Sequence, residues 1–429
     1  MRGLNMWMSG LLAGGLVASL ALPVGAQAPG SNAKPIKIGY LMPFSGTEAQ
    51  NGKDNQDGFN LYLASINNMI AGRKIEALFA DTEGKPDTAL GKAKQFVQVD
   101  NVDLLMGISL TPECYAIAPY VREVKVPVAV SGNCGGLGLT TNPKYKSDYM
   151  VRFTQTSAQF VDPIVAYAMK HGLKRIALVT SDYGGGLQVG DFFGAAMVTK
   201  GGQIVQELHP PLGTADFGPT LSQLTKDADA VAVFLPGADG LKFADQYGNY
   251  VAKSKQVVLD IGANMVAGPN LAQLKDKAVG FIASGYYTVA SDTPVNQAFL
   301  KAFRAKYPNR LVSPDAAQGY SAAMILEAAL KKVNGNIENK QAFLEALYAT
   351  NVQTAKGLIK LDANHDVVET GYVFQIVKTG NEYSQKLIDA VHDIGQYGSL
   401  TEGQAAKFGT LKGIWVGMTK EKLATTLGN

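Results

Sequence analysis

Lys37-Ile38-Gly39-Tyr40-Leu41-Met42-Pro43-Phe44-Ser45-Gly46 and Arg175-Ile176-Ala177-Leu178-Val179-Thr180-Ser181-Asp182-Tyr183-Gly184 are two versions of one design. Each opens on a cation, runs through a short apolar stretch and ends in a hydroxyl, an aromatic ring and a glycine. That is a buried strand followed by the turn into a helix, the first half of a parallel crossover unit. Outward from the first stretch the pattern predicts a helix over Asn51–Ile70, a strand over Lys74–Asp81, a helix over Thr88–Val99 and a strand over Val102–Ile108. A helix starting at Thr111-Pro112-Glu113 and a strand over Val126–Val130 follow. Around the second stretch it predicts a helix over Ala158–His171 and one ending near Lys200, with strands over Gln203–His209, Ala230–Gly237, Gln256–Gly262 and Gly280–Tyr287.

The fold class that results is α/β, with two doubly wound parallel-sheet lobes. Helices over Pro294–Lys306 and Asp315–Val333 complete the first unit, and a late strand over Tyr372–Lys378 rejoins the second. The expected division is therefore 27–155 plus 286–365 for one lobe and 156–285 plus 366–429 for the other. A chain that passes between lobes more than once makes a hinge that can close on a ligand.

Length agrees with two lobes, because 429 residues exceed what one hydrophobic core organises. Residues 1–26 read as a secretory signal: Arg2, an apolar run from Leu11 to Leu22, and the small-residue exit Val24-Gly25-Ala26. The run is too short for the roughly 20 apolar residues that cross a bilayer. No cysteine follows it, so the expected product is free rather than lipid-anchored. Loss of Arg2 takes the formal net charge from +3 to +2, which leaves no basic footprint for nucleic acid or a membrane surface. With 46% hydrophobic and 17% charged residues, the chain has the composition of a folded protein, not a disordered one.

Cys114 and Cys134 are the two cysteines. An even pair in an exported chain favours one disulfide, which in the chain-entropy model is worth about 3 kcal/mol for a loop of this size; the alternative is two buried thiols. His171, His209, His365 and His392 are scattered without metal-ligand spacing, so neither a metal site nor a cofactor is expected.

Ligands of open parallel sheets sit at the carboxyl ends of strands, where loops and helix starts present amide donors. Those ends carry Ser109 and Thr111, then Ser131, Gly132 and Asn133, in the first unit. In the second they carry Tyr183, Gly237, Asn264, Tyr286 and Tyr287. Hydroxyls, amides and tyrosines suit a small anionic or aromatic solute. Each has a plainer reading too: Ser109 and Thr111 as helix caps, Asn51 as the cap of its own helix, Tyr286 and Tyr287 as hinge or core residues.

The order of segments resembles the Leu/Ile/Val-binding family of type I periplasmic binding proteins, which deliver solutes to ABC transporters. Its carriers are the opening at 36–46, the helix Asn51-Gly52-Lys53-Asp54-Asn55-Gln56-Asp57-Gly58-Phe59, Phe79-Ala80-Asp81-Thr82-Glu83-Gly84-Lys85-Pro86, and Val126-Pro127-Val128-Ala129-Val130-Ser131-Gly132. The second opening and Ala215-Asp216-Phe217-Gly218-Pro219-Thr220-Leu221 continue them, and the likeness spans Pro35 to Lys378. The resemblance implies a cleft between lobes joined by three crossovers, a location in the periplasm, and a monomer that hands its ligand to a permease in the inner membrane. Ser109, Thr111 and Ser131 to Asn133 lie where the family meets a ligand carboxylate, and Tyr183 where an aromatic residue covers the ligand. Cys114 with Cys134 can take the place of the disulfide many members have near these loops.

Two departures bear on the ligand. The family's Ser-Pro-Ala-x-Thr type loop is here Ser131-Gly132-Asn133-Cys134-Gly135. The acid that amino-acid binders place in the second lobe is replaced by Gly262-Ala263-Asn264, with Asp260 as a substitute nearby. The expected ligand is thus an organic carboxylate, aromatic in preference to a branched-chain amino acid or amide. A sensing module for a membrane partner is a second class. A secreted enzyme is not expected, since no nucleophile, base and orienting group share a motif. The segment after Gly395, with Tyr397, Lys407 and Trp415, has no functional reading.

Overall fold

A computed structural model describes residues 34–250, 256–408 and 412–427; the expected leader over 1–26 lies outside the described residues. The first sheet contains β1 (Ile36–Met42), β2 (Met69–Ile70), β3 (Arg73–Asp81), β4 (Leu104–Gly107), β5 (Val128–Val130) and β6 (Met150–Arg152), in the order β2-β3-β1-β4-β5-β6. All neighbours but β2 and β3 are parallel; Ile38 sits opposite Ala77 on one side and Leu104 on the other. Strands this apolar need cover on both faces. It comes from α1 (Ala49–Ser65), α2 (Pro86–Gln98), α3 (Thr111–Val124) and the short α4 (Gly138–Thr141).

The second lobe opens with α5 (Val161–Lys170), β7 (Arg175–Thr180), α6 (Gly184–Thr199), β8 (Gln203–Leu208), α7 (Gly218–Gln223) and β9 (Ala230–Phe234). It continues through α8 (Ala238–Tyr250), β10 (Val257–Asp260), α9 (Pro269–Leu274) and β11 (Ile282–Gly285), whose parallel strands run in the order β8-β7-β9-β10-β11. The chain then returns to the first lobe as α10 (Pro294–Lys306), α11 (Pro314–Lys332), α12 (Lys340–Tyr348), β12 (Asn351–Thr354) and β13 (Gly357–Leu361). The crossing is completed by β14 (Val367–Thr379). Its start pairs with β13 and its middle pairs antiparallel with β11, so one strand belongs to both lobes. The hairpin partner β15 (Glu382–Ile394), α13 (Glu402–Ala405) and α14 (Lys420–Leu427) end the described chain.

The repeated openings fold as two equivalent first strands, β1 and β7, each flanked on both sides by parallel strands. Four differences from the sequence reading have local causes. The helix expected to reach Ile70 stops at Ser65, because Asn67 and Asn68 take positive φ (54° and 53°) and turn the chain into the β2–β3 hairpin. The strand expected over Tyr372–Lys378 begins five residues earlier, where it is still paired with β13. Its partner β15 alternates polar side chains along an exposed edge and lacked an apolar signature. The segment after Gly395 packs on the second lobe: Trp415 is 1% exposed, Nε1 donates to Asp191 Oδ1 (3.1 Å), and its backbone N–H donates to Glu207 Oε2 (2.9 Å).

The packing that matters most for the cleft is α1 against α11. A β-carbon on Gly58 would lie 1.9 Å from the carbonyl oxygen of Ala316, and one on Gly319 would lie 1.9 Å from that of Asn55. Glycine at both positions lets the two backbones touch. The chain just before α1 and the first turn of α11 consequently stand side by side at the edge of the sheet.

Candidate functional site

A cleft enclosing about 850 Å³ of non-atom space, part of it open to solvent, lies between the lobes. The first lobe contributes the loop before α1 and its first turns (Glu48, Gln50, Asn51, Asp54), the start of α3 (Leu110, Thr111), the loop after β5 (Asn133, Gly135) and the start of α11 (Ser313, Pro314, Asp315). The second contributes Tyr183, Gly185 and Val189 at α6, Phe234 and Pro236 after β9, and Gly262, Ala263 and Asn264 after β10. The connecting segments add Gln155, Ser157, Phe160 and Tyr286. Phe160 and Phe234 stack with their centroids 5.6 Å apart and planes 5° from parallel, a flat apolar wall.

Of the residues singled out in the sequence, Thr111, Asn133, Tyr183, Asn264 and Tyr286 line this space. Tyr286 donates weakly to Asn133 Oδ1 (3.4 Å), and Asn133 Nδ2 donates to Asp315 Oδ1 (2.6 Å). This chain of bonds joins a connecting segment to the first lobe. Ser109, Ser131 and Gly132 sit behind the wall. Ser109 is fully buried and does not line the cavity. The Ser131 hydroxyl accepts the N–H of Gly107 (3.1 Å), and the N–H groups of Ser131 and Gly132 both donate to the Gly107 carbonyl (2.9 Å each). Gly237 stands at the mouth, where the neighbouring Ala238 N–H donates to the Thr47 carbonyl of the other lobe (3.1 Å).

The helix start at α3 departs from the capping reading. Thr111 is the first residue of the helix and its hydroxyl is not the cap. Instead Glu113 folds back so that Oε2 accepts the N–H of Leu110 (2.8 Å) and of Ser109 (3.2 Å). An internal carboxylate thus takes the two amides that lead into the helix. Asn51 likewise does not cap α1; it lies in the first turn and donates to Glu48 Oε2 (3.0 Å). Asp260 turns away from the cleft, where its Oδ2 accepts the N–H of Met265 (3.0 Å) and Val266 (3.1 Å).

Sequence reasoning missed the acids. Glu48 and Asp315 both line the cavity, at 3% and 7% exposure. Burial, and then the neighbouring Asp315, push the Glu48 carboxyl up to about 8. Burial pushes Asp315 up to about 7, against the bond from Asn133 that favours its charged form. Asp54 is also raised by burial, but Arg310 pairs with it and with Asp57 (2.7 Å for the latter). Neither acid stands at the end of a β-strand. They meet only because α1 and α11 pack backbone to backbone, a contact between segments more than 250 residues apart that no local pattern announces.

Two buried ion pairs brace the connections beneath the site. Arg152, at the end of β6, pairs with Asp366 at the start of β14, and its Nη1 also donates to the Gly136 carbonyl (2.7 Å). Lys356 pairs with Glu369 (2.8 Å) and holds its ammonium 4.5 Å from the centre of the Tyr286 ring. The Cys114–Cys134 disulfide ties α3 to the loop after β5. Among the described residues no three His, Cys, Asp or Glu side chains are grouped to hold a metal ion, and no helix is long and apolar enough to cross a membrane.

Residues 35–381 match the family model described as periplasmic binding protein. A Leu/Ile/Val-binding protein homolog 6 of Brucella melitensis is 27% identical over 380 residues, covering 86% of this chain and 96% of that one. An ABC transporter substrate-binding protein from Sphaerobacter thermophilus has the same fold, with TM-score 0.78, 30% identity and coverage of 84% of this chain and 98% of its own. A solute binding protein of an ABC transporter from Rhodopseudomonas palustris, solved in complex with 3,4-dihydroxy benzoic acid, gives TM-score 0.79, 28% identity and coverage of 84% and 98%.

Proposed function

Because the chain belongs to the periplasmic binding protein family, we propose that it is the exported solute receptor of an ABC importer, closing its two lobes on a small aromatic carboxylate. The observation that carries this reading is the flat wall of Phe160 and Phe234 in a cavity that both lobes line, with the rings of Tyr183 and Tyr286 beside it. An aromatic body lies against such surfaces with gain from apolar burial and from ring contacts. The carboxylate is held by hydroxyl and amide side chains, from Thr111, Ser157 and Gln155, instead of the Ser109 and Leu110 amides that Glu113 has taken. The Rhodopseudomonas relative, solved with an aromatic acid, supports the same ligand class.

A branched-chain amino acid or amide is the second reading, and one observation favours it. The ammonium partner that the second lobe lacks is available in the first, as Glu48 and Asp315. In either case the chemistry is binding and release, with delivery to a membrane permease, and the leader at 1–26 supplies the export that a periplasmic receptor needs. Native mass spectrometry of protein recovered from the periplasm tests the assignment: a bound aromatic acid supports it, and a bound aliphatic amino acid moves the chain to the second reading. A thermal-shift screen across both classes reads the same answer, since a ligand at 100 times its Kd adds about 2.7 kcal/mol.

A further inference from the structure

Glu48 is the feature of the cleft that the aromatic-carboxylate reading leaves unused. It lines the cavity, it is almost wholly buried, and its Oε1 has no hydrogen-bond partner among the described residues. The other oxygen accepts from Asn51. Asp315 stands close by, with one oxygen accepting from Asn133. No Lys, Arg or His is among the described residues that line the space. The cations nearest to it are committed: Arg310 to Asp54 and Asp57, Arg152 to Asp366, Lys356 to Glu369. The cleft therefore gathers two buried carboxyls at one place, one oxygen of Glu48 unpartnered, with no cation among the described lining residues to match them.

A buried acceptor left without a donor is unfavourable, and a site built around one rejects an analogue that fails to satisfy it. Resting on the receptor reading above, we propose that Glu48 and Asp315 form a donor-reading subsite, which selects solutes carrying an O–H or N–H group in addition to their carboxylate over solutes that carry the carboxylate alone. The subsite is made by the loop before α1 and the first turn of α11, so it belongs to the first lobe. It is distinct from the second-lobe loop after β10, where Asp260 is occupied by backbone N–H groups. A cationic donor satisfies it best, because the two carboxyls have no counter-charge of their own, and a neutral hydroxyl ranks next.

The test uses the mature protein and two matched series read by calorimetry. The first is benzoate, para-hydroxybenzoate and para-(aminomethyl)benzoate, which share ring and carboxylate and differ only in the donor. The second is isocaproate and leucine, which differ only in the ammonium group. In whichever series binds, the donor-bearing member is expected to bind about tenfold to a hundredfold more tightly. Glu48→Gln is expected to shrink that ratio by about tenfold. Aminomethyl above hydroxyl assigns a charge-reading subsite, and hydroxyl equal to aminomethyl assigns a neutral one; both support donor selection. Equal affinities within the series that binds, or a ratio unchanged in Glu48→Gln and in Asp315→Asn, overturn the subsite and leave the receptor reading standing. Absence of binding in both series overturns the two together. Circular dichroism of each variant establishes that it is folded before its ratio is read.

Discussion

Gly237 of the second lobe is seated against Glu48 of the first: a β-carbon at Gly237 would lie 2.5 Å from Glu48 Oε1 and 2.4 Å from the Thr47 carbonyl oxygen. Its φ of 56° is one that side-chain-bearing residues rarely adopt. The lobes approach here without a side chain between them, and the Ala238 N–H bonds across the gap.

Gly237→Ala should therefore oppose closure more than folding. The positive-φ strain, about 1–3 kcal/mol, is carried in either state, while the clash with Thr47 and Glu48 is relieved when the lobes part. Small-angle scattering is expected to show the variant more expanded at saturating ligand, with a faster dissociation rate. An unchanged radius of gyration and rate would show that closure does not bring these loops together in solution.

Tyr183→Ala removes a ring from the wall of the cavity at the start of α6. The loss in affinity is expected at about 1–3 kcal/mol for the ligand the protein carries, by analogy with aromatic hot spots. Calorimetry of the variant with that ligand checks it, and an unchanged Kd would remove Tyr183 from the site.

The raised carboxyls predict how stability depends on pH. Glu48, which titrates near 4.5 in the unfolded chain and at about 8 when folded, holds its proton in the native state over that interval while the unfolded state has lost it. The native state thus binds more protons, and stability falls as pH rises from about 4.5 to about 8. Asp315 adds to the fall between 3.8 and about 7. The groups facing Glu48, namely Asp315, Glu113 and Asp239, are all acidic, and Asn51 is its one donor, so the direction is not reversed by a neighbour. Thermal unfolding of the ligand-free protein should show Glu48→Gln gaining on the parent as pH is raised from 5 to 8. A constant difference across that range would refute the assignment.

Replacing both cysteines with serine should cost about 3 kcal/mol from the loop that the bridge closes, whose ends are 20 residues apart. Because Cys114 lies one turn after Thr111 and Cys134 next to Asn133, affinity should fall together with the melting temperature. Two reactive thiols in the denatured, unreduced protein would contradict the bridge itself.

Arg152→Ala leaves Asp366 buried without its cation, a loss of about 3–5 kcal/mol. Both side chains are fully buried, and the pair joins the end of β6 to the start of β14. Chemical denaturation is expected to show a lowered midpoint, and Arg152→Lys should recover only part of it, since a single ammonium cannot make the two-pronged contact and reach the Gly136 carbonyl as well.

The strands were legible wherever an apolar run was unbroken. Ile36–Met42 and Arg175–Thr180 could be read directly, because a strand covered on both faces carries its whole environment in its composition. β15 was not, because its side chains mostly face solvent and read like a loop. In the site, Tyr183, Asn264 and Asn133 follow strands, so the rule of strand ends found them. Glu48 and Asp315 escaped because their meeting depends on Gly58 and Gly319, whose role is visible only as a contact across the fold. Glu113 was recognised as an acid in the first turn of a helix; that it would take the amides of Ser109 and Leu110 followed only from the geometry.

Trp415 fills the second lobe's core from nearly the end of the chain, and α11 and α12 fill the first lobe's core from beyond residue 313. Synthesis therefore delivers the strands β1 to β11 before it delivers the parts that seal them. Neither lobe can reach its final packing while a third of the polypeptide is still on the ribosome, so the nascent chain remains loose and threadable until late. The export proposed for this chain gains time from the late arrival of these segments.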